Sequence, residues 1–257
     1  MRLWMIGAAA LAGIVATAQV EATEQTAYAR LLETHVRPAM VSGIRLNLVE
    51  YAALKADPNY PKALHTFATA RPEALGSEAA RIAFWVNAYN LLAIKTVVDR
   101  YPIKSIKDGG GFFTTIWKTK VGVVAGRERT LDEIEHEILR KEFREPRVHF
   151  AIVCASLSCP DLRPEPFVAE RLDAQLDEAT RAFLANPTKG LVVGADGERA
   201  RVSTIFKWFA DDFTGGVVEF IRAHLDASRT AALAGLTPGG LSYLDYDWSL
   251  NDAARAR

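Results

Sequence analysis

The sequence predicts an α+β fold, a helix-rich single domain around a small and mainly antiparallel sheet. Residues 81–98 are apolar on almost every helical face, which indicates a central buried helix. Other segments repeat apolar residues at helical spacing, and short β-type segments flank turns at Ala125-Gly126 and Asp196-Gly197. With 257 residues, 49% hydrophobic and 24% charged, the chain has the composition of an ordinary globular protein.

Residues 1–18 have the pattern of a secretory signal peptide. Arg2 precedes an apolar run, and Ala16-Thr17-Ala18 provides the small residues of a cleavage site. The run is shorter than the roughly 20 residues that span a bilayer, so we expect no stable membrane insertion after cleavage. The sequence therefore predicts an exported protein of the periplasm or cell envelope.

The charged residues exclude one class of partner. The chain has 31 basic and 31 acidic residues, and the basic residues are interspersed with acidic ones instead of forming a basic stripe. Phosphate backbones require a concentrated positive surface, so we expect no nucleic-acid partner.

Residues 19–70 form a predicted N-terminal helical segment. Apolar spacing predicts helices over 26–36, 46–54 and 60–71, each ended near a proline. The central helix follows, with Ser77 as its N-cap. Asn87 and Asn90 lie on one face of it, and buried carboxamides require hydrogen-bond partners. Either both side chains brace neighbouring loops, or one of them orients a catalytic side chain.

A hairpin over residues 117–129 leads into a helix over 131–141, where Thr130 and Glu133 form a capping box. Glu135 falls inside the apolar stripe of this helix, with His136 on its flank. A carboxylate in that position must be paired or protonated. Its partner is an arginine, or else Glu135 and His136 converge on a cleft.

The stretch from His149 to Pro160 is the best candidate for an active centre. It holds both cysteines, and residues 148–154 read as a strand with Cys154 at its end, followed by a loop of small residues. The alternative is a buried structural cysteine. In an oxidising compartment Cys154 and Cys159 are able to form a disulfide. A bridge over so short a loop constrains the unfolded chain little, so we expect a bridge here to protect or regulate a thiol.

The remaining elements are a helix over residues 172–184, a hairpin over 190–203, a short aromatic helix from 203, a helix over 217–225 and a final strand over 243–251.

Five motifs together resemble the domain of unknown function family numbered 547, over about residues 71–251. They are Phe84 to Asn90, Leu131 to Arg140, His149 to Pro160, Ser203 to Phe213 and Tyr246 to Asn251. The resemblance implies that Asn87, Asn90, Glu135, His136 and Cys154 belong to the family's pattern. It also implies that Cys159 and His149 are more often lost, which fits a regular strand on which His149 points away from Cys154. The family has no settled activity, so the resemblance itself predicts no reaction.

A catalytic cysteine works with a neighbouring histidine, whose imidazole favours the thiolate, and with an amide or carboxylate that holds the imidazole in the useful tautomer. We expect Cys154 to attack a carbonyl, His136 to act as base, and Asn87 or Glu135 to orient the ring. Backbone N–H groups of residues 155–157 would bind the oxyanion. The predicted activity is that of a thiol-dependent hydrolase or acyl/amide transferase acting on a small molecule or peptide, without a cofactor.

Two alternatives stay open. One is a zinc site built from His136, His149, Cys154 and Cys159, although the spacing is not that of a known zinc motif. The other is a non-catalytic envelope module for binding or structure, in which Cys154 and Cys159 form a disulfide and the polar core residues only brace loops.

Overall fold

The computed structural model describes residues 27–41, 43–110 and 115–256, and the predicted signal peptide lies outside these ranges. The α+β class is confirmed, and the strands are divided among three small sheets. Within the described ranges, none of the helices combines the length and the apolar character that crossing a membrane requires.

Helix α4 (Glu78–Val98) is the centre of the molecule. Ser77 accepts a hydrogen bond from the backbone N–H of Ala80 at 3.1 Å, as predicted for the N-cap. The helix is buried on almost every side, because it packs against the helices Tyr51–Ala56 and Leu172–Ala185 and against the helix that carries Glu135. Its uniform apolar composition is the reason that it occupies the core.

The N-terminal segment is only partly helical. It contains helix α1 (27–35), strands β1 (Val36–Val41) and β2 (Ile44–Val49), and helices α2 (Tyr51–Ala56) and α3 (Asn59–Thr69). The predicted helix over 46–54 is therefore wrong at its start, and so is the description of 19–70 as helical. Ile44, Leu46 and Leu48 alternate with polar residues, which is the period of a strand, and β2 pairs antiparallel with β1.

The predicted hairpin is confirmed as β3 (Gly122–Val124) and β4 (Arg127–Arg129). Trp117, which was assigned to this hairpin, lies instead in a 3₁₀ turn. The next helix begins at residue 131 and continues as a π-helix over Glu133–Phe143. Thr130 Oγ1 accepts the Glu133 N–H at 2.9 Å, so that half of the capping box is present.

The predicted strand over residues 148–154 is wrong. Pro146–Phe150 forms a 3₁₀ helix, and residues 152–154 continue without a strand partner. Proline favours the first turn of a helix, and the apolar run is buried without belonging to a sheet. An apolar run of this length does not distinguish a buried strand from other buried segments.

The C-terminal half confirms the predicted helices and the predicted hairpin. Its elements are α5 (Leu172–Ala185), β5 (Leu191–Val193), β6 (Ala200–Val202), α6 (Ile205–Trp208), α7 (Val217–Ala223), α8 (Ala227–Ala231) and β7 (Leu241–Tyr243). Strand β6 pairs antiparallel with β5 and parallel with β7.

The predicted final strand over 243–251 is wrong beyond Tyr243. Residues 244–252, which we call the C-terminal segment, run between the loop of residues 154–159, which we call the cysteine loop, and the hairpin formed by β1 and β2. Leu157 N–H donates to the Ser249 carbonyl at 2.8 Å, and Val49 N–H donates to the Asn251 carbonyl at 2.9 Å. The side chains alternate because the segment contacts neighbours on both sides, and not because it joins a sheet.

Two hydrophobic cores meet in the molecule. The larger surrounds α4, and the smaller contains an aromatic cluster of Phe150, Phe183, Phe206, Phe213 and Phe220. Residues of both cores line the cavity described next.

Candidate active site

A cavity of about 360 Å³ brings together three of the predicted site residues, Cys154, His136 and Glu135. His149 and Cys159 also line it. Its remaining walls are mostly aromatic or aliphatic, namely Tyr89, Trp117, Ile152, Pro160, Ile205, Trp208, Phe209, Tyr246 and Trp248. Asn87 and Asn90 do not line it. The cavity has the character of a small-molecule site, with apolar walls and a few polar groups.

Cys154 and Cys159 form a disulfide in this structure. The two cysteines differ in exposure, because Cys154 is half-buried whereas Cys159 is 3% exposed. The Tyr246 hydroxyl lies 3.1 Å from Cys159 Sγ and 3.3 Å from Cys154 Sγ. Cys154 therefore becomes a nucleophile only after the bridge is opened.

The residue after Cys154 has a strained backbone. Ala155 has a φ of 61°, in the left-handed region, which costs a residue with a side chain about 1–2 kcal/mol. Hydrogen bonds in both directions join this loop to the C-terminal segment. Asn251 N–H donates to the Ala155 carbonyl at 3.0 Å, and Leu157 N–H donates to the Ser249 carbonyl at 2.8 Å. Ser158 and Asp247 exchange two more, at 3.2 and 2.8 Å. Because Leu157 N–H is occupied, it is not available to bind an oxyanion, which corrects that part of the prediction.

Glu135 is buried at the cavity and its hydrogen-bond partner is a tyrosine. Tyr89 Oη donates to Glu135 Oε2 at 3.1 Å. Burial raises the pKa of Glu135 to about 7, although the Tyr89 hydrogen bond and the charge of Arg140 act in the opposite direction. Its carboxyl group is thus able to gain or lose a proton near neutral pH. Of the two predicted environments, the structure has the one in which Glu135 and His136 share a cleft.

His136 is held by charged neighbours on its own helix. Arg140 Nη1 donates to His136 Nδ1 at 2.8 Å, and His136 Nε2 lies 3.5 Å from Asp132 Oδ1. Burial lowers the pKa of His136 even though Asp132 acts to raise it, so the neutral ring is favoured. The expectation that Asn87 or Glu135 orients this ring is wrong, because Arg140 and Asp132 occupy those positions.

His149 and Asp212 form a pair that the sequence did not predict. His149 Nε2 lies 2.7 Å from Asp212 Oδ2, and the ring stacks on Phe209 with centroids 4.1 Å apart. Burial lowers the pKa of His149, with Asp212 opposing that change. The expectation that His149 points away from the Cys154 side was wrong because it assumed a regular strand, and the backbone there is a 3₁₀ helix.

Asp212 connects the two histidines through Arg140. Arg140 Nε and Nη2 donate to the Asp212 carboxylate at 2.5 and 3.0 Å. Burial acts to raise the pKa of Asp212, but the hydrogen bonds from His149 and Arg140 outweigh it and hold that pKa well below its ordinary value. Asp212 is thus a charged acceptor for His149. Its place in one of the five motifs was the only sequence signal for it.

Asn87 and Asn90 brace backbone segments, as the first of the two interpretations predicted. Asn87 exchanges two hydrogen bonds with the backbone of Phe167, at 2.8 and 3.0 Å. Asn90 donates to the Ala151 carbonyl at 3.0 Å and accepts from Val153 N–H at 2.8 Å. Asn90 therefore fixes the segment that leads into Cys154.

The zinc alternative has no support in the geometry. Among the residues that the structure describes, no three or more His, Cys, Asp or Glu side chains are arranged to hold a metal ion. The thiols of Cys154 and Cys159 are joined to each other, and a bridged cysteine is not a thiolate ligand.

Residues 72–184 match the family model described as "Protein of unknown function, DUF547". The match confirms the resemblance for the three motifs between Phe84 and Pro160, and the two motifs from Ser203 onward lie beyond it. It includes α4, Glu135, His136 and both cysteines, whereas Asp212 and Tyr246 lie beyond it. No curated protein and no solved structure matches the chain.

Proposed function

We propose that the protein is a thiol-dependent hydrolase or acyl/amide transferase in which Cys154 is the nucleophile once its bridge to Cys159 is open. One observation carries this proposal: Cys154 lines a single cavity with the imidazoles of His136 and His149 and with the carboxyl group of Glu135. A thiol, an imidazole and a group of near-neutral pKa are the components of acyl transfer through a cysteine.

The reaction would proceed in two steps. An imidazole takes the Cys154 proton, the thiolate attacks the substrate carbonyl, and the leaving amine or thiol receives a proton as the acyl-enzyme forms. Water or an acceptor amine then takes the acyl group from Cys154. The strained backbone at Ala155 is consistent with a functional position, since such strain concentrates at active sites.

His149 is the better oriented of the two candidate bases. Asp212 holds its Nε2, as the carboxylate of a catalytic triad holds its histidine, so proton transfer would use Nδ1. His136 Nδ1 accepts a hydrogen bond from Arg140, so the neutral ring carries its proton on Nε2, and His136 could take a proton only after Arg140 releases Nδ1. Glu135 is a third group able to supply a proton, because its pKa is about 7.

The substrate we propose is an amide or thioester of a small molecule or peptide in the cell envelope. The aromatic side chains of Trp117, Trp208 and Trp248 supply the apolar surface on which an acyl group or aromatic ring would pack. Export to the envelope is proposed from the signal-peptide pattern of residues 1–18.

The second candidate is a non-catalytic envelope module. Two observations favour it, namely the disulfide itself and the use of Asn87 and Asn90 to brace backbone. On this alternative the cavity binds a ligand without reaction, or the bridge only stabilises the cysteine loop.

The Cys159→Ser variant separates the two candidates, because it leaves Cys154 as a free thiol without reductant. We expect Cys159→Ser to hydrolyse a benzoyl thioester about 100-fold faster than a matched variant that carries both Cys154→Ser and Cys159→Ser. Circular dichroism would establish that both variants are folded. Equal rates for the two folded variants on thioester and amide reporters would favour the non-catalytic module.

A further inference from the structure

The two sulfurs of the disulfide have different environments, and this difference suggests which one an incoming thiol attacks. Both cysteines line the cavity, but Cys154 is half-buried whereas Cys159 is 3% exposed. Thiol–disulfide exchange requires a thiolate to approach one sulfur in line with the S–S bond, so access selects the sulfur that is attacked. Cys154 is the more accessible of the two cysteines.

The environment of Cys159 suits a leaving group. Cys154 N–H donates to Cys159 Sγ at 3.0 Å, and the Tyr246 hydroxyl donates to the same sulfur at 3.1 Å. When the S–S bond breaks, the departing sulfur gains negative charge, and both donors are already aimed at it. The Tyr246 hydroxyl also lies 3.3 Å from Cys154 Sγ, and the Ser156 hydroxyl lies 3.3 Å from both that sulfur and the Tyr246 oxygen. Cys159 therefore differs from Cys154 by its shorter Tyr246 contact and by the backbone N–H that donates to it.

We propose that Cys154–Cys159 is a redox-active disulfide that exchanges with thiols entering the cavity, with Cys154 as the attacked sulfur and Cys159 as the leaving one. An external thiolate bonds to Cys154 Sγ, the S–S bond breaks, and Cys159 leaves as a thiolate that takes a proton. A second external thiolate then attacks the external sulfur of the mixed disulfide and releases Cys154 as a thiolate. Two external thiols are oxidised to one disulfide, and the protein's disulfide is reduced to two thiols.

This exchange deepens the proposed function, since opening of the bridge is the step that frees Cys154, but it requires no acyl substrate. The thiols we infer are those of a small molecule or an extended peptide, because the cavity of about 360 Å³ has no room for a folded partner. Its aromatic walls favour a thiol on an apolar carrier.

The first test measures how fast dithiothreitol reduces the full-length native protein as its concentration is varied. We expect the rate to rise linearly with dithiothreitol concentration, because the folded protein reacts directly. A rate that levels off at the rate of global unfolding, measured separately in denaturant, would overturn the proposal and identify the bridge as structural.

The second test uses variants to establish which sulfur reacts and what assists it. Incubated with glutathione disulfide, Cys159→Ser should form a mixed disulfide at Cys154 at least about tenfold faster than Cys154→Ser forms one at Cys159. Tyr246→Phe should slow reduction by dithiothreitol about tenfold, because it removes one donor to the leaving sulfur. Tyr243→Phe, at an exposed tyrosine, is the matched control and should leave the rate unchanged.

Faster reaction at Cys159, or an unchanged rate in Tyr246→Phe, would refute the assigned polarity. The exchange and acyl-transfer proposals fail separately. If the native disulfide exchanges with thiols but Cys159→Ser does not hydrolyse the thioester, the redox proposal stands and the hydrolase proposal fails. If Cys159→Ser hydrolyses the thioester but the native disulfide is reduced only at the rate of global unfolding, the hydrolase proposal stands and the redox proposal fails.

Discussion

At the scale of single residues, Glu135 is the least typical group of the site. It lies on the apolar stripe of its helix, it is 8% exposed, and its hydrogen-bond partner is the neutral hydroxyl of Tyr89. A buried carboxyl group without a bonded cation is stabilised by holding its proton. The pKa of about 7 follows from this environment and connects the stability of the protein to pH.

Replacement of Glu135 by glutamine should remove this pH dependence. The folded pKa of Glu135, about 7, exceeds its ordinary value of 4.5, so its favourable contribution is complete below about pH 4.5 and is lost as pH rises through 7. At about 1.4 kcal/mol per pH unit, wild type should lose up to about 3 kcal/mol relative to Glu135→Gln between those values. Urea unfolding at pH 5 and pH 8 would measure the difference.

Glu137→Gln is the matched control for that measurement. Glu137 is exposed on the same helix and its pKa is lowered by Lys141, so it does not titrate in this range. If the free energies of unfolding of wild type and Glu135→Gln change in parallel from pH 5 to pH 8, the raised pKa of Glu135 is contradicted.

Asp212 is the second residue with a decisive test. In the Cys159→Ser background, Asp212→Asn should lower kcat/KM for a thioester about 100-fold if His149 is the base, because His149 loses the carboxylate that orients it and raises its pKa. The pH–rate profile should also shift to lower pH. Steady-state kinetics over pH 5–9 would report both effects.

The neighbouring Asp211→Asn is the control, since Asp211 is exposed and does not contact His149. Unchanged kinetics in Asp212→Asn, together with a large loss in His136→Gln, would assign the base to His136 instead.

At the scale of elements, α4 stabilises the segment that leads to the cysteines through one carboxamide. Asn90→Ala leaves the Ala151 carbonyl and the Val153 N–H without this partner. Each buried unsatisfied group costs about 1–3 kcal/mol, so we expect a lower free energy of unfolding by that amount per group. Denaturant unfolding would measure the loss. Asn59→Ala, at the half-buried first residue of α3, is the control.

A bracing role predicts a second result for Asn90. Dithiothreitol should also reduce the disulfide of folded Asn90→Ala at an altered rate, because the geometry of Cys154 depends on this segment. A variant with wild-type stability that loses only thioester hydrolysis would instead give Asn90 a direct part in catalysis.

The elements that were predicted correctly are those whose signal is local. The uniform apolar run of α4, its Ser77 cap and the turn at Ala125-Gly126 each specify their own structure within a few residues. The strand prediction for residues 148–154 is wrong. The Ala151 carbonyl and the Val153 N–H bond to the side chain of Asn90 and not to a neighbouring strand, and no pattern within the segment indicates this.

The sequence predicted which residues belong to the site better than it predicted their contacts. Burial of Glu135 followed from its position on the stripe, whereas its contact with Tyr89 depends on how two helices pack. The pairing of His149 with Asp212 joins residues 63 positions apart, and neither position has a local signal for the other. Periodicity reports which face is buried and does not report what lies against it.

At the scale of the whole molecule, the cavity depends on two cores that meet. Phe206 is fully buried in the smaller core, and its ring centroid lies 5.5 Å from that of Phe150 and 4.9 Å from that of Phe213. We expect Phe206→Ala to lower the free energy of unfolding by about 3–5 kcal/mol, because it removes buried apolar contacts and leaves a cavity.

If both cores belong to one cooperative unit, the whole unfolding transition of Phe206→Ala should shift as one. Far-UV circular dichroism and tryptophan fluorescence should then give the same midpoint. Met40→Ala, at a side chain that is 63% exposed, should change stability by no more than about 0.5 kcal/mol. Two separate midpoints in Phe206→Ala would show that the smaller core unfolds independently.

The C-terminal segment has a consequence for the order in which the molecule is assembled. Its hydrogen bonds hold the loop after Cys154, and its Tyr246 supplies the hydroxyl that contacts both sulfurs. A ribosome delivers the cysteines long before it delivers Tyr246, so a growing chain carries the two thiols without the groups that later surround them. The hydrogen-bonding environment of the two sulfurs is therefore completed only after synthesis has passed this segment.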